Sequence, residues 1–416
     1  MAHLLAEDLD FHQHTSSYAT HNLHAFPAKF LPQLPRRFID ALTDRHDTVL
    51  DPMMGSGTTV LEAYLADRRS LGFDIDPLAL LLGAVKVTPL DVTRAAAIGV
   101  AALEDAQRRL HVDSDALRQA LDRRFDPRSR AFIDYWFSPA TQLELTALLL
   151  AIETVPDAPL RRFLELAFSA IIITKSGGVS RARDLAHTRP HRVAGKPPRS
   201  AFEAFRKRVQ QNVASLAQLP ADRTPAIVRA GDAQALPLPD TSVDLIVTSP
   251  PYASNAIDYM RAHKFSLVWL GRPIAALTQR RKDCIGGEAV DVTRFESLPA
   301  YTENTVQRLE TMHPKKGAVL RRYYSEMTRV IREMVRVLGH DRVAVLVVGS
   351  SVMAGMNTMT HECLADIGRH LGFVDAQIAV RRLDRNRRMI PARLGGNRAS
   401  QIEERMHEEY VIGFVK

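Results

Sequence analysis

Two stretches of the chain combine residue types that can do chemistry at spacings chemistry can use. Residues 248–252 read TSPPY and follow the apolar run DLIV. Proline removes a ladder donor and restricts the residue before it to extended backbone. Ser249-Pro250-Pro251 must therefore leave a strand as a stiff, non-helical segment that holds its hydroxyl, its carbonyls and the Tyr252 ring still. The second stretch, residues 51–59, reads DPMMGSGTT. Gly55 and Gly57 let backbone pass close to a ligand, and the helix start beyond them offers unpaired N–H groups. As a nucleotide triphosphate loop it fails, because Thr58 and Thr59 follow Gly57 with no lysine between, and as a dinucleotide fingerprint it lacks a third glycine. Alone, it fits a tight structural turn as well as a cofactor loop.

Asp74 adds to it. It lies 17 residues after Gly57, near the spacing at which an acid ending the second strand accepts both ribose hydroxyls of an adenosine-containing cofactor. With Asp51 ending the first strand and Asp232, in AGDA, ending a later one, three acids stand at strand ends, where ligands of open α/β sheets bind. TSPPY ends a fourth strand and should face the same pocket. Asp76, followed by Pro77, reads instead as a helix cap.

The elements that must position these residues form an α/β pattern. Residues 48–50 are a short strand, 58–66 have helical spacing and 70–73 are a second strand, which makes a β-turn-α-β unit and the start of a mostly parallel sheet. Residues 91–225 carry apolar residues at helical intervals and read as a helical insertion. Inside it, residues 175–200 hold glycine, proline and basic residues with no period, a long loop. The α/β pattern resumes at PAIVRAGDA (225–233), then a helix, a Gly339 stop and an apolar strand over 343–348. FVDAQIAVRRL and EEYVIGFVK near the end form an antiparallel hairpin at the sheet edge, joined by a basic stretch.

Bulk properties bound the function. A chain of 416 residues with 46% hydrophobic and 25% charged residues is a globular protein of at most two domains, not a disordered or collagen-like one. No apolar run approaches the ~18 residues of a membrane span, and the N-terminus lacks the basic-then-apolar order of a secretory signal, so a cytoplasmic protein is expected. Cys284 and Cys363 are too few for a disulfide framework and read as inert. The net charge of +8 permits a polyanionic partner, and residues 175–208 hold ten basic and two acidic residues, a surplus as large as that of the whole chain.

Together the motifs resemble the amino-methyltransferase family that moves a methyl group from S-adenosylmethionine to the exocyclic nitrogen of cytosine or adenine in DNA. Ser249, Pro250, Pro251 and Tyr252 match its D/N/S-PP-Y/F tetrapeptide, DPMMGSGTT its cofactor loop, and HAFPAKFLP (24–32) its upstream H-x-F/Y-P-A-K-F-x-P segment. The resemblance covers roughly residues 21–90 and 225–416, in cofactor-first order. It implies a Rossmann-like class I methyltransferase fold, with a catalytic domain from residues 1–90 and 226–416. The insertion 91–225, helped by 271–325, would carry target recognition, since no large separate domain follows at the C-terminus. It implies S-adenosylmethionine as cofactor, contacted by Lys29, Phe30, Asp51, Pro52, Gly55, Ser56, Gly57, Thr58, Thr59, Asp74, Ile75, Asp232, Ala233 and Ser249. The partners implied are double-stranded DNA and a cognate restriction endonuclease. Serine in the first position of the tetrapeptide resembles the cytosine-N4 enzymes; adenine-N6 and RNA base methyltransferases are the alternatives. A DNA-binding module without activity is disfavoured, because loop, ribose acid and tetrapeptide are all intact.

The chemistry accounts for these residues. The amine of cytosine is a poor nucleophile whose lone pair is delocalised, and acceptors on its hydrogens, the Ser249 hydroxyl and Pro250 carbonyl, favour the developing positive charge. Tyr252 offers a stacking face for a base that must be flipped out of the duplex. A sulfonium carries its own leaving group, so no metal is expected, and His12, His14, His21 and His24 fit no zinc spacing. Beyond the tetrapeptide, Asn255 and Asp258 are the expected polar contributors, while Phe265, Leu267, Val268 and Trp269 read as core. In the basic loop, Gly177 and Gly178 with Lys175, Arg181, Arg183, Arg189 and Arg192 suit phosphate contact, and Arg381, Arg382, Arg385, Arg387 and Arg388 form a second candidate set.

Overall fold

The computed structural model describes every residue except 28, 30, 175–176, 184, 186–189, 198, 254–257, 288–294, 350 and 384–407. The strands among them are β1 (Thr48–Asp51), β2 (Arg69–Asp74), the short pair β3 (Ala182–Arg183) and β4 (His191–Arg192), β5 (Ile227–Ala230), β6 (Val243–Thr248), β7 (Leu338–Gly349), the short pair β8 (Val352–Met353) and β9 (Met356–Asn357), β10 (Asp375–Arg382) and β11 (Glu408–Val415). Seven of them build one sheet in the order β10-β11-β7-β6-β1-β2-β5. The five from β7 to β5 run parallel to one another, and β11 runs antiparallel between β7 and β10. The C-terminal hairpin thus lies at the sheet edge as the sequence predicts, with its last strand on the inside.

Side-chain alternation explains the layering. Val49, Leu245, Val345 and Val347 share a cluster with Phe38 and Ile39 of helix Gln33–Leu42, whereas their chain neighbours Leu50, Ile246, Leu346 and Val348 share another with Val330 and Ile331 of helix Pro314–Val337. Successive residues of a strand face opposite ways, so a continuous apolar run needs a helical cover on both sides. The chain builds outward from β1 through β2 to β5, then returns to β6 and β7 on the other flank. The order of the sheet therefore reverses between β1 and β6, the point at which such sheets bind ligands.

Between helix Pro77–Lys86 and β5 lie helices Val92–Val112, Ser114–Arg124, Pro127–Trp136, Pro139–Glu153, Ala158–Ile172 and Ala201–Leu216. Each begins at a side-chain cap, with Asp91, Asp113, Asp126, Ser138, Asp157 and Ser200 accepting from first-turn N–H groups. Their apolar faces share one cluster with Leu78 and Leu82 and with Phe265, Leu267, Val268 and Trp269. The insertion is thus packed onto the sheet-bearing half through a common core.

Two expectations are corrected. Helix Pro314–Val337 passes straight into β7 through an extended Leu338, so Gly339 lies inside the strand and is not the helix stop. The paired glycines of the basic loop serve close packing: a Cβ at Gly178 would stand 2.0 Å from the Ile171 carbonyl oxygen, and one at Gly177 1.9 Å from that of Ala182. Both have positive φ, which only glycine adopts without strain. Lys196 likewise ties the loop together, its Nζ donating to the carbonyls of Gly178, Ser180 and Ala182 at 3.1, 2.6 and 3.0 Å.

Candidate active site

A cavity of about 430 Å³ opens beyond the carboxyl ends of β1, β2, β5 and β6, a volume in the range of small-molecule sites. Its floor is the turn after β1. The Asp51 carboxylate accepts from the Met53 N–H (3.2 Å) and the Thr248 hydroxyl (2.7 Å), which fixes where the turn leaves the strand. Gly55 and Gly57 take left-handed backbone, and a Cβ at Gly57 would stand 3.2 Å from the Gly83 Cα, so helix Pro77–Lys86 lies directly against the loop. Gly55 N–H then donates to Asp74 Oδ2 at 2.8 Å, joining the loop to the end of β2.

This geometry divides the residues expected to contact a cofactor. Lys29, Pro52, Gly55, Ser56, Asp74, Ile75, Asp232, Ala233 and Ser249 line the cavity. Asp51, Thr58 and Thr59 are each 1% exposed and sit behind the loop with Gly57, the cap of helix Thr58–Leu65, so they hold the wall in place and do not face the cavity. The three acids do not outline one pocket, because Asp51 is buried beneath it. Phe30 lies outside the described residues. Lys29 donates from Nζ to the His21 and His24 carbonyls at 3.0 and 3.3 Å, local bonds that fix its side chain on the cavity wall.

Asp74 is the polar centre of this half. Its Oδ1 accepts from the Asp76 N–H at 2.8 Å, and enclosure, reinforced by the charge of Asp76, pushes its carboxyl up to about 6. Asp76 caps helix Pro77–Lys86 by accepting from the Leu78 N–H, as predicted, and also meets His263 Nδ1 at 2.5 Å. Burial opposes its ionisation, but His263 and the helix N–H groups outweigh burial and hold it below the ordinary value. Asp232 accepts from the Gln234 N–H at 2.9 Å and remains exposed at the cavity edge.

The tetrapeptide forms the opposite wall. Ser249 Oγ donates to the Val347 carbonyl on β7 at 2.9 Å, so its hydroxyl hydrogen is committed and its oxygen is left as an acceptor. Pro250 and Pro251 follow it on the wall. The Tyr252 ring lies over Gly349, where a Cβ would come within 2.6 Å of its Cε2, and its hydroxyl donates to Glu409 Oε1 at 3.1 Å. Burial, with the Glu409 charge beside it, drives the phenol well above its ordinary pKa.

Asp258 also lines the cavity, caps helix Tyr259–Leu267 and pairs with Arg281 (2.6 Å) and Arg261 (3.1 Å). Asn255 lies outside the described residues. Cys284, on the same rim, has its thiol pushed up to about 12 by burial and stays protonated, in keeping with an inert role.

Sequence reasoning missed several groups here. Helix Ile274–Asp283 supplies Thr278, Arg281 and Lys282 to the wall. The cluster of basic residues before Cys284 was its only sequence signal. Glu409 has none, since only the pairing of β11 brings it to Tyr252.

Of the residues expected at phosphates, Arg183 and Arg192 are exposed on β3 and β4, with the Arg192 guanidinium 4.8 Å over the Tyr135 ring. Arg181 is half-buried, its N–H held by the Trp136 carbonyl at 2.7 Å. Lys175, Arg189, Arg385, Arg387 and Arg388 lie outside the described residues. Arg381 is corrected: it is 2% exposed and its guanidinium pairs with Glu409 at 2.8 Å, where no phosphate can reach it.

A family model described as DNA methylase, of the N6 and N4 type, matches residues 8–82. Over 347 residues the chain is 25% identical to the Type II methyltransferase M.MvaI of Kocuria varians, spanning 77% of this chain and 74% of that protein. Over 314 residues it is 22% identical to the Type II methyltransferase M.BsoBI of Geobacillus stearothermophilus, spanning 68% and 60%. Among solved structures, the rRNA methyltransferase aviRa from Streptomyces viridochromogenes aligns with 99% of this chain and 92% of its own at 11% identity and a TM-score of 0.27, too loose a superposition to carry an argument. The family match contains Phe26, Lys29, the β1 turn and Asp74 on the cavity side of the sheet, and with the Type II relatives it supports the resemblance to the amino-DNA methyltransferase family of N4 and N6 type.

Proposed function

We propose that the chain is a Type II DNA methyltransferase that moves a methyl group from S-adenosylmethionine to the N4 amine of a cytosine flipped out of duplex DNA. The observation that carries the cytosine reading is Ser249, a neutral hydroxyl in the first position of the tetrapeptide, with its hydrogen committed to Val347. Its oxygen can then only accept, which is what an amine turning cationic needs.

The cavity suits the cofactor. Each oxygen of Asp74 is already oriented by a backbone N–H, which supports a role in accepting ribose hydroxyls, and Asp232 and Ala233 on the same lining would meet the base beside it. When bound, the cofactor supplies an electrophilic methyl on a sulfonium. The chain's own part is to orient: the prolines hold the Ser249 acceptor, and the Tyr252 ring provides a stacking face for the target base.

On this reading the insertion, residues 91–225, carries target recognition. Arg183 and Arg192 contact phosphates, and the basic rim at Arg281 and Lys282 steers the strand to the cavity. The enzyme would work in the cytoplasm, beside an endonuclease that cuts the unmodified site. Labelled S-adenosylmethionine and duplex DNA, followed by mass spectrometry of the nucleosides, test it: N4-methylcytosine is expected. Methyladenine alone would move the enzyme to the N6 branch, and label only in RNA would end the DNA reading.

A further inference from the structure

We infer that Glu409 is a positioning residue for the target base: held by Arg381, its carboxylate fixes the Tyr252 ring against Gly349 as the platform on which the base stacks. The inference rests on the role proposed above for Tyr252.

Three residues stand in one row across the last three strands at the sheet edge. Arg381 on β10 pairs in register with Glu409 on β11, and Glu409 with Gly349 on β7. The Tyr252 ring lies across this row. Gly349 meets it from below, with room for no side chain, and Glu409 holds its hydroxyl at 3.1 Å. A tyrosine has two soft side-chain torsions, and these contacts fix both. The second oxygen of Glu409 is bound by Arg381 Nη1 at 2.8 Å, so the acceptor is itself fixed.

Stability alone does not account for the arrangement. The ion pair is nearly enclosed, with Arg381 and Glu409 side chains 2% and 12% exposed. Desolvating such a pair offsets most of its attraction, and an apolar pair at the same place would commonly be as stable. What the ion pair supplies is a directional acceptor for one hydroxyl, and that hydroxyl belongs to a ring on the cavity wall. The antiparallel hairpin lies on the far side of β7 from the Asp74 half of the site, so its effect should fall on the base and not on the cofactor.

A double-substitution cycle in the full chain tests this. Methyl transfer from labelled S-adenosylmethionine into unmodified duplex DNA of genomic complexity is measured alongside cofactor affinity by calorimetry. Glu409→Ala and Tyr252→Phe should each lower kcat/KM for DNA roughly ten- to hundredfold, the scale of a lost hydrogen bond to a charged group, while the cofactor Kd stays within about twofold. In the Tyr252→Phe background, Glu409→Ala should cost no further turnover, since phenylalanine has no hydroxyl to hold. Should Glu409→Ala fail to fold because Arg381 is left buried and unpaired, the Arg381→Met/Glu409→Met pair removes both charges and is read in the same cycle. Losses that multiply, or a Glu409 variant with full turnover, overturn the positioning role. A wild-type chain that puts no methyl into DNA sinks the proposed function and this inference with it, an outcome distinct from the others.

Discussion

The Thr248 hydroxyl donates to Asp51 Oδ1 at 2.7 Å and so joins the ends of β6 and β1 across the point where the sheet reverses its order. Burial pushes the Asp51 carboxyl from 3.8 up to about 7, against the pull of Thr248 and the Met53 N–H. Between those values the folded chain keeps a proton that the unfolded chain has lost. The folded state binds more protons there, so this residue's contribution to stability falls as pH rises through the window and levels off above about 7. Thr248→Val removes a donor that favours the carboxylate. Denaturant titrations should show a loss of about 1–3 kcal/mol at pH 8 and a smaller one at pH 5. Equal losses at both would show that the bond does not act through the charge of Asp51.

Ser249→Ala separates the two halves of the site. The substitution removes one acceptor at the reacting amine but leaves the prolines and the Asp74 side intact. Turnover should fall roughly 10²–10³-fold, as when one oriented group is taken from a transition state, with cofactor affinity nearly unchanged in calorimetry. A parallel fall in cofactor affinity would mean that Ser249 serves the cofactor instead.

Much of this was legible in the sequence, and what was missed shares one cause. Short apolar runs and helical spacing placed the strands and helices, and proline and glycine chemistry marked the turns at 51–59 and 249–252, because these are local properties of the chain. Motif spacing also brought Asp74 and Ser249 to one cavity. It could not show that Asp51, Thr58 and Thr59 lie behind the loop, since strand-end acids and loop threonines look alike whichever way they face. Nor could it show Glu409 at Tyr252, a contact between residues 157 apart that exists only through the β11 register. The paired glycines 177 and 178 were read for a ligand when their neighbours are the chain's own carbonyls.

Asp74→Asn tests the cofactor half. Asparagine keeps the shape but loses the charge and one acceptor, so cofactor Kd should rise roughly ten- to hundredfold while kcat at saturating cofactor changes little. In the wild type, enclosure puts the Asp74 carboxyl at about 6, and cofactor affinity should weaken as pH drops below that value and the acceptor gains a proton. The Asn variant should lose this pH dependence. If it keeps the wild-type profile, another group is titrating.

Arg183→Glu combined with Arg192→Glu tests the path of DNA over the insertion. Both residues are exposed on the β3–β4 pair, which makes a two-stranded sheet of its own, so neither fold nor cofactor affinity should change. Each phosphate contact releases close to one counterion, so losing two should make the slope of log affinity against log salt shallower by roughly two. Binding to duplex DNA measured across a salt series reads this directly. Weaker binding with the slope intact would point to damage elsewhere. An unchanged affinity and slope would return the loop to the commonest role of a charge-rich surface, a solvated face, and leave the rim at Arg281 and Lys282 as the place where the strand is held.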